Sequence, residues 1–128
     1  MAVATQFCIG LENKPGALAG LCGALQRANV NIDALYVSED EDCTWVNFVA
    51  SPVPVANDVL AEAGHNFFTE KVLVIRVEDR PGELERVSSK LAEASININY
   101  VYGSCVNGSC TLVFNVDEIA RAEKTVGV

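Results

Sequence analysis

Positive charge is what this sequence has least of. Nine Lys and Arg stand against seventeen Asp and Glu, for a net charge of −8 at pH 7. Nucleic-acid phosphates and anionic lipid surfaces are held by clustered Lys and Arg, so neither nucleic acid nor membrane is an expected partner. Long apolar runs are also missing. Each is broken by Asp, Glu, Asn or Gly well short of the ~20 residues that a spanning helix needs. The opening stretch MAVATQFCIGLEN has no basic segment leading into an apolar one, so no export signal is read and the cytoplasm is the expected compartment. Histidine is reduced to His65 alone, and one imidazole with five scattered cysteines gives no metal-ligand spacing. No metal or cofactor is expected. There is no Ser/His/Asp logic, no phosphate-binding loop and no H-E-x-x-H. No catalytic set is read, and the chain is not expected to be an enzyme.

What is present is a core and a repeat. Half of the 128 residues are hydrophobic, which excludes disorder. Residues 12–36, ENKPGALAGLCGALQRANVNIDALY, align without gaps on residues 78–102, EDRPGELERVSSKLAEASININYVY. Nine of these twenty-five positions are identical: Glu, Pro, Gly, Leu, Leu, Ala, Asn, Ile and Tyr. Several others are near-swaps, such as Asn13/Asp79, Lys14/Arg80 and Val30/Ile96. A repeat fixes the architecture before any single element is assigned.

Each copy reads in the same order. Phe7, Ile9 and Leu11 alternate on one face of a first strand, as do Leu73, Ile75 and Val77. A Pro-Gly corner follows, with Pro15 and Pro81 expected in the first helical turn. Leu18, Leu21, Cys22, Leu25 and Ala28 then form a helical stripe, matched by Leu84, Val87, Leu91 and Ala94. Strand two spans 30–37 and 96–103, with Ile32 and Ile98 facing the core. Strand three spans 43–50 and 110–116. Asn107-Gly108 predicts a type I′ hairpin in copy two, where copy one has the acidic loop SEDED. Ser51 and Asp117 are expected N-caps of a second helix, and HNFFTE is a fourth strand opened by a solvated His65.

The order βαββαβ predicts an α+β fold: two tandem ferredoxin-like domains, each an antiparallel sheet with helices on one face. The expected domains are 1–70 and 71–128. Strand four of the first runs into strand one of the second without a linker. The second copy lacks its last strand in chain order, leaving the strand near Leu73–Val77 with an open edge. A homodimer partner or the tandem domain is expected to cover it, or else the tail KTVGV folds back.

The corner has the parts of a zwitterion site. Gly16 and Gly82 allow close approach, and the first helical N–H groups carry partial positive charge that suits a carboxylate. Asn13 and Asp79 offer oxygens to an ammonium. The competing reading is plain helix capping by the same two residues.

The sequence from strand one through NKPGALAGL and NVNIDAL, and again through DRPGELERV and SININYV, resembles a tandem pair of ACT domains over nearly its whole length. ACT domains are small βαββαβ modules that bind amino acids or related ligands and regulate metabolic enzymes or transcription through pairing. The resemblance implies a ligand at an interface between ACT domains. It would touch the loop Asn13, Lys14, Pro15, Gly16, Ala17 and Leu18, or Asp79, Arg80, Pro81, Gly82, Glu83 and Leu84. From strand two it would touch Asn31 and Ile32, or Asn97 and Ile98. Asn13 against Asp79, and Ala17 against Glu83, make the two half-sites unequal. Asp79 is the preferred ammonium acceptor because its charge strengthens the bond. A homodimer is expected, with any regulated enzyme a separate chain.

Two alternatives stand beside this reading. One is a ligand-free dimerisation module. The other is a thiol redox protein using Cys105 and Cys110, which flank the hairpin turn as an opposed pair about 4.5 Å apart at Cα. For those two, free thiols are the expectation. Cys8 and Cys22 read as small core residues. Trp45 is expected in the core or at an interface. Tyr36 and Tyr102 are expected to pack rather than bind.

Overall fold

A computed structural model describes residues 2–39 and 43–127. Asp40, Glu41 and Asp42 of the acidic loop, and Val128, lie outside the described residues. The elements are β1 (Ala2–Leu11), α1 (Ala17–Arg27), β2 (Asn31–Glu39), β3 (Thr44–Ser51), α2 (Val53–Glu62) and β4 (Phe67–Glu78). They continue with α3 (Glu83–Glu93), β5 (Ile98–Val106), β6 (Ser109–Val116) and α4 (Ile119–Val126). The repeated βαββα order of the sequence is therefore the order of the fold. No helix among the described residues is long and apolar enough to cross a membrane.

The chain forms two compact units: residues 5–70, and residues 1–4 with 71–128. In the first, the strand order is β2-β3-β1-β4. Phe7, Ile9 and Leu11 of β1 and Val46, Phe48 and Ala50 of β3 share one face, under Leu21 and Leu25 of α1 and Ala56 and Leu60 of α2. Phe7 and Phe48 are fully buried and stack at 5.5 Å. Such a ring pair contributes about 0.5–1.5 kcal/mol beyond its area. Trp45 lies on the other face, half-buried, its ring 6.2 Å from Phe68 and 3.5 Å from where a Cβ on Gly10 would stand.

The second unit repeats this plan in the order β1-β4-β6-β5. Leu73, Ile75 and Val77 of β4 and Cys110, Phe114 and Val116 of β6 pack under Val87 and Leu91 of α3 and Ala122 of α4. The open edge of the sequence reading has a specific answer. The start of β1 belongs to this unit, next to β4, with Val3 packed on its core. Thus β1 takes the place of the missing fourth strand. The tail does not fold back as a strand: Lys124, Thr125 and Val126 are helical, and Val126 packs on the core.

Five local expectations need correction. Pro15 and Pro81 precede the helices, which begin at Ala17 and Glu83, because the Pro-Gly pairs build turns instead. Ser51 and Asp117 cap nothing: the residues before α2 and α4 are Pro52 and Glu118, without side-chain caps. Ser51 and Asp117 are instead bonded to strand two, as described below. Leu18 and Leu84 leave the expected core stripe, being 39% and 47% exposed. They lie in the first helical turn. His65 is half-buried in the turn before β4 rather than opening the strand. Of the two tyrosines expected to pack, Tyr36 is exposed, whereas Tyr102 stacks on Tyr100 at 6.5 Å.

The hairpin expectation holds. Asn107 and Gly108 have φ of 52° and 80°, the two positive angles that a type I′ turn requires. Both copies also end their first helix alike. Asn29 and Ser95 take φ 59°, and Val30 and Ile96 donate back to the carbonyls of Leu25 and Leu91 at 2.9 Å. That is a left-handed helix stop built without glycine.

Candidate functional site

The corner is a type II turn. Ala17 N–H donates to Lys14 O at 3.3 Å across Pro15 and Gly16, and Gly16 has φ 89° and ψ −14°. Copy two repeats it from Arg80 to Glu83, with Gly82 at φ 93° and ψ −9°. Proline pre-sets the first central residue and glycine supplies the positive φ of the second. Among the described residues nothing lies within 4 Å of a Cβ built on either glycine.

Among the described residues no side chain caps α1 or α3. Asn13, the expected cap, instead donates its amide to Glu39 Oε2 at 3.2 Å. Asp79 is held through its backbone, its N–H donating to Gly108 O at 3.0 Å. The capping reading of these residues therefore fails.

In the first unit Asn13, Lys14, Ala17 and Leu18 line a cleft of about 150 Å³ with Leu11, Glu12 and Thr44. That is smaller than the roughly 300–1,000 Å³ of drug-sized sites, so it suits a small ligand or one end of one. Lys14 Nζ lies 3.0 Å from Glu12, an exposed pair. Such pairs contribute little, and Lys14 can exchange partners.

The second unit fills the same place with its own charge. Glu83, the counterpart of Ala17, is 9% exposed. Arg86 grips it through Nε at 3.2 Å and NH2 at 3.3 Å, and Arg80 Nε stands 3.6 Å away. The Arg86 hydrogen bonds hold the Glu83 carboxyl below its ordinary value against the opposing effect of burial, with the Arg86 and Arg80 charges assisting. Position 20, opposite Arg86 in the repeat, is glycine, so copy one has neither the acid nor the second arginine.

The strand-two residues sit elsewhere. Leu11 pairs with Thr44 at one end of the first unit's sheet, and Asn31 pairs with Ser51 at the other. Asn31 lines its own hollow of about 290 Å³ with Gln26, Asn29 and Val30. Asn31 donates to Asp33 Oδ1 at 2.7 Å, and Ser51 donates to Asp33 Oδ2 at 3.1 Å. In copy two Asn97 donates to Asn99 at 3.1 Å, and Asn99 donates to Asn115 at 2.9 Å and Asp117 at 3.2 Å. Asp33 and Asn99 mark register breaks in their ladders. Such bulges re-aim side chains. Ile32 and Ile98 pack on the two cores. Within one unit, then, the turn and the start of strand two do not meet.

Sequence reasoning passed over Glu39 and Thr44. Glu39 belongs by sequence to the acidic loop SEDED, but it closes β2 beside Asn13. The repeat register was the available signal, since it places Glu39 and Thr44 opposite Cys105 and Cys110. Those two cysteines are joined as a disulfide, not free as expected. The two-residue turn makes them directly opposed across β5 and β6, with Cα atoms 4.0 Å apart. Of the others, Cys8 is buried and Cys22 half-buried. Burial above all, with the Glu70 carboxylate adding, pushes the Cys8 thiol up to about 11, although a hydrogen bond from Gln6 opposes this.

A family model described as an ACT domain pair matches residues 1–127. The chain belongs to the ACT domain family. Among solved structures, this ACT pair is similar to protein BT0572 from Bacteroides thetaiotaomicron, with 26% identity and a TM-score of 0.91 over 96% of this chain and 85% of that one. It also shares its fold with the ligand-free regulatory subunit of aspartate kinase from Thermus thermophilus, at 14% identity and a TM-score of 0.71, covering 97% and 89%. Aspartokinase alpha and beta subunits match at 18% identity and a TM-score of 0.67, covering 98% and 97%. No curated protein matches the sequence.

Proposed function

We propose that this ACT pair is a regulatory module that binds an amino acid or a related small zwitterion at the Asn13 turn and signals through domain or subunit pairing. The observation that carries the reading is the cleft at that turn, lined by Asn13, Lys14, Ala17, Leu18 and Thr44 under a helix start that no side chain among the described residues caps. A ligand carboxylate has the free N–H groups of α1 and the Lys14 ammonium. A ligand ammonium has the Asn13 side-chain oxygen and the Glu39 carboxylate, with a charge-assisted bond to the latter. Strand-two residues such as Asn31 and Ile32, or Asn97 and Ile98, close the site from a second ACT domain, because they stand at the far end of the sheet in their own unit.

The preference for copy two and Asp79 gives way to copy one in this proposal. Glu83 already supplies a carboxylate to Arg80 and Arg86, so Pro81, Gly82 and Leu84 frame a turn that is satisfied from within. The proposal also includes a homodimer in the cytoplasm, acting on a separate metabolic enzyme or regulator and performing no catalysis of its own. Leu35, Tyr36 and Val37 on β2, and Val101 and Val106 on β5, leave exposed apolar surface on the edge strand of each unit. The same surface favours the second reading, a dimerising module without ligand.

A thermal-shift screen of the twenty amino acids separates the two. Ligand at about 100 times its Kd stabilises by about 2.7 kcal/mol, which is a readable shift in melting temperature. Ala17→Glu, which places a carboxylate at the cleft, should remove the shift while leaving the dimer intact. Dimer without any shift at millimolar amino acid supports the ligand-free module instead.

A further inference from the structure

We propose that Asp79, Cys105 and Cys110 form a thiol-gated site for a thiophilic divalent cation of the zinc type, opened by reduction of the hairpin disulfide. The oxygen of Asp79 and the two sulfurs already lie within 4.8 Å of one another. The fold explains why. Val77 and Cys105 both stand opposite Cys110 in their ladders. Side chains alternate along a strand, so Asp79 falls on the Val77 face, diagonal to Cys110. Its N–H bond to Gly108 O at 3.0 Å ties the loop after β4 to the hairpin turn.

The chemistry selects the cation. Thiolates favour zinc-type ions over magnesium or calcium. Metal–sulfur and metal–oxygen bonds of about 2.3 and 2.1 Å in a tetrahedron put the donors about 3.5–3.8 Å apart. Cross-strand cysteines with Cα atoms 4.0 Å apart reach that spacing by side-chain rotation, with the backbone unmoved. Three protein ligands leave a fourth position for water. The equivalent residues of copy one, Asn13, Glu39 and Thr44, contain no thiol, so the site is particular to the second unit. It uses none of the copy-one residues in which the proposed amino-acid site is placed.

The gate is a two-electron step. A dithiol reductant breaks the Cys105–Cys110 bond, becomes a cyclic disulfide and leaves two cysteine thiols. The cation then displaces one proton from each thiol to water and takes an Asp79 carboxylate oxygen as third ligand.

The test titrates cobalt(II), as a spectroscopic stand-in, into the full chain after dithiothreitol reduction and anaerobic desalting. Expected are thiolate-to-cobalt charge-transfer absorption and tetrahedral d–d bands, saturating at one ion per chain and erased by zinc. The air-oxidised chain should show neither. Asp79→Ala should keep the charge-transfer band but weaken binding about tenfold or more, since even outer partners of metal ligands are worth about 10–100-fold. The proposal is overturned if the reduced chain shows no such absorption, or if Cys105→Ser with Cys110→Ser leaves it intact. It is also overturned if Asp79→Ala binds as tightly as the wild type.

Discussion

Replacing Gly16 with alanine tests the geometry on which the site rests. Gly16 has φ 89° and, among the described residues, no atom within 4 Å of the position a Cβ would take. Any loss of stability in Gly16→Ala is therefore backbone strain rather than collision. An L-residue in the left-handed region costs about 1–2 kcal/mol. Against this, alanine narrows the unfolded ensemble and returns about 0.4–1 kcal/mol. The net expectation is a loss of about 1 kcal/mol, or about 4 °C in melting temperature for a chain of this size. Gly82→Ala should lose the same amount, because its φ of 93° and its open surroundings match. Asn in place of Gly16 should cost less, since asparagine visits this region more readily. Urea unfolding followed by circular dichroism gives the number. A neutral or stabilising Gly16→Ala would refute the type II turn, and a loss above about 3 kcal/mol would mean that the turn is packed against something.

Other substitutions probe other parts of the account. A Cβ on Gly103 would stand 2.5 Å from Thr111 O and 2.8 Å from Leu112 Cδ2, so Gly103→Ala should destabilise by about 1–3 kcal/mol in the same urea assay. Ser95→Gly should stabilise by about 1 kcal/mol, because Ser95 holds φ 59° at the end of α3. The folded Glu83 carboxyl titrates below its ordinary value. Its contribution is thus complete above the unfolded carboxylate range and is lost as pH falls through the lowered value. The stability gap between wild type and Glu83→Gln, measured by melting across pH 7 to 2, should narrow on acidification, and a gap that widens contradicts the ion-pair account. Cys8, with its thiol raised to about 11, should be the slowest free cysteine to alkylate at pH 8, read by mass spectrometry with Cys22 and Cys43 as internal references.

The repeat made most of the fold legible. The periodicities of Phe7-Ile9-Leu11 and Leu73-Ile75-Val77 needed no tertiary information, and Asn107-Gly108 carried its turn type in two residues. The source of the second unit's fourth strand was not legible. Residues 2–4 satisfy it, and no local pattern in AVATQF distinguishes a strand serving one unit from a strand serving two. The corner itself was visible, but its form was not. Pro-Gly permits a helix start or a type II turn, and the choice depends on where Asn13 and Asp79 find their partners. Those partners, Glu39 and Gly108, are far away in sequence, as Asp79 is from the hairpin cysteines. The inequality of the half-sites could be read from Ala17 and Glu83. Its sense could not, because the salt bridge from Arg86 depends on the turn of helix between them.

The central claim is that an amino acid binds at the Asn13 turn. The most direct measurement is the amide correlation spectrum of the isotopically labelled chain, titrated with the amino acid that gives the largest thermal shift. The account predicts that the largest displacements fall on Gly16, Ala17, Leu18 and Ala19 in the wild type and disappear in Ala17→Glu. Displacements centred on the turn at Gly82, or none at millimolar ligand, would contradict it.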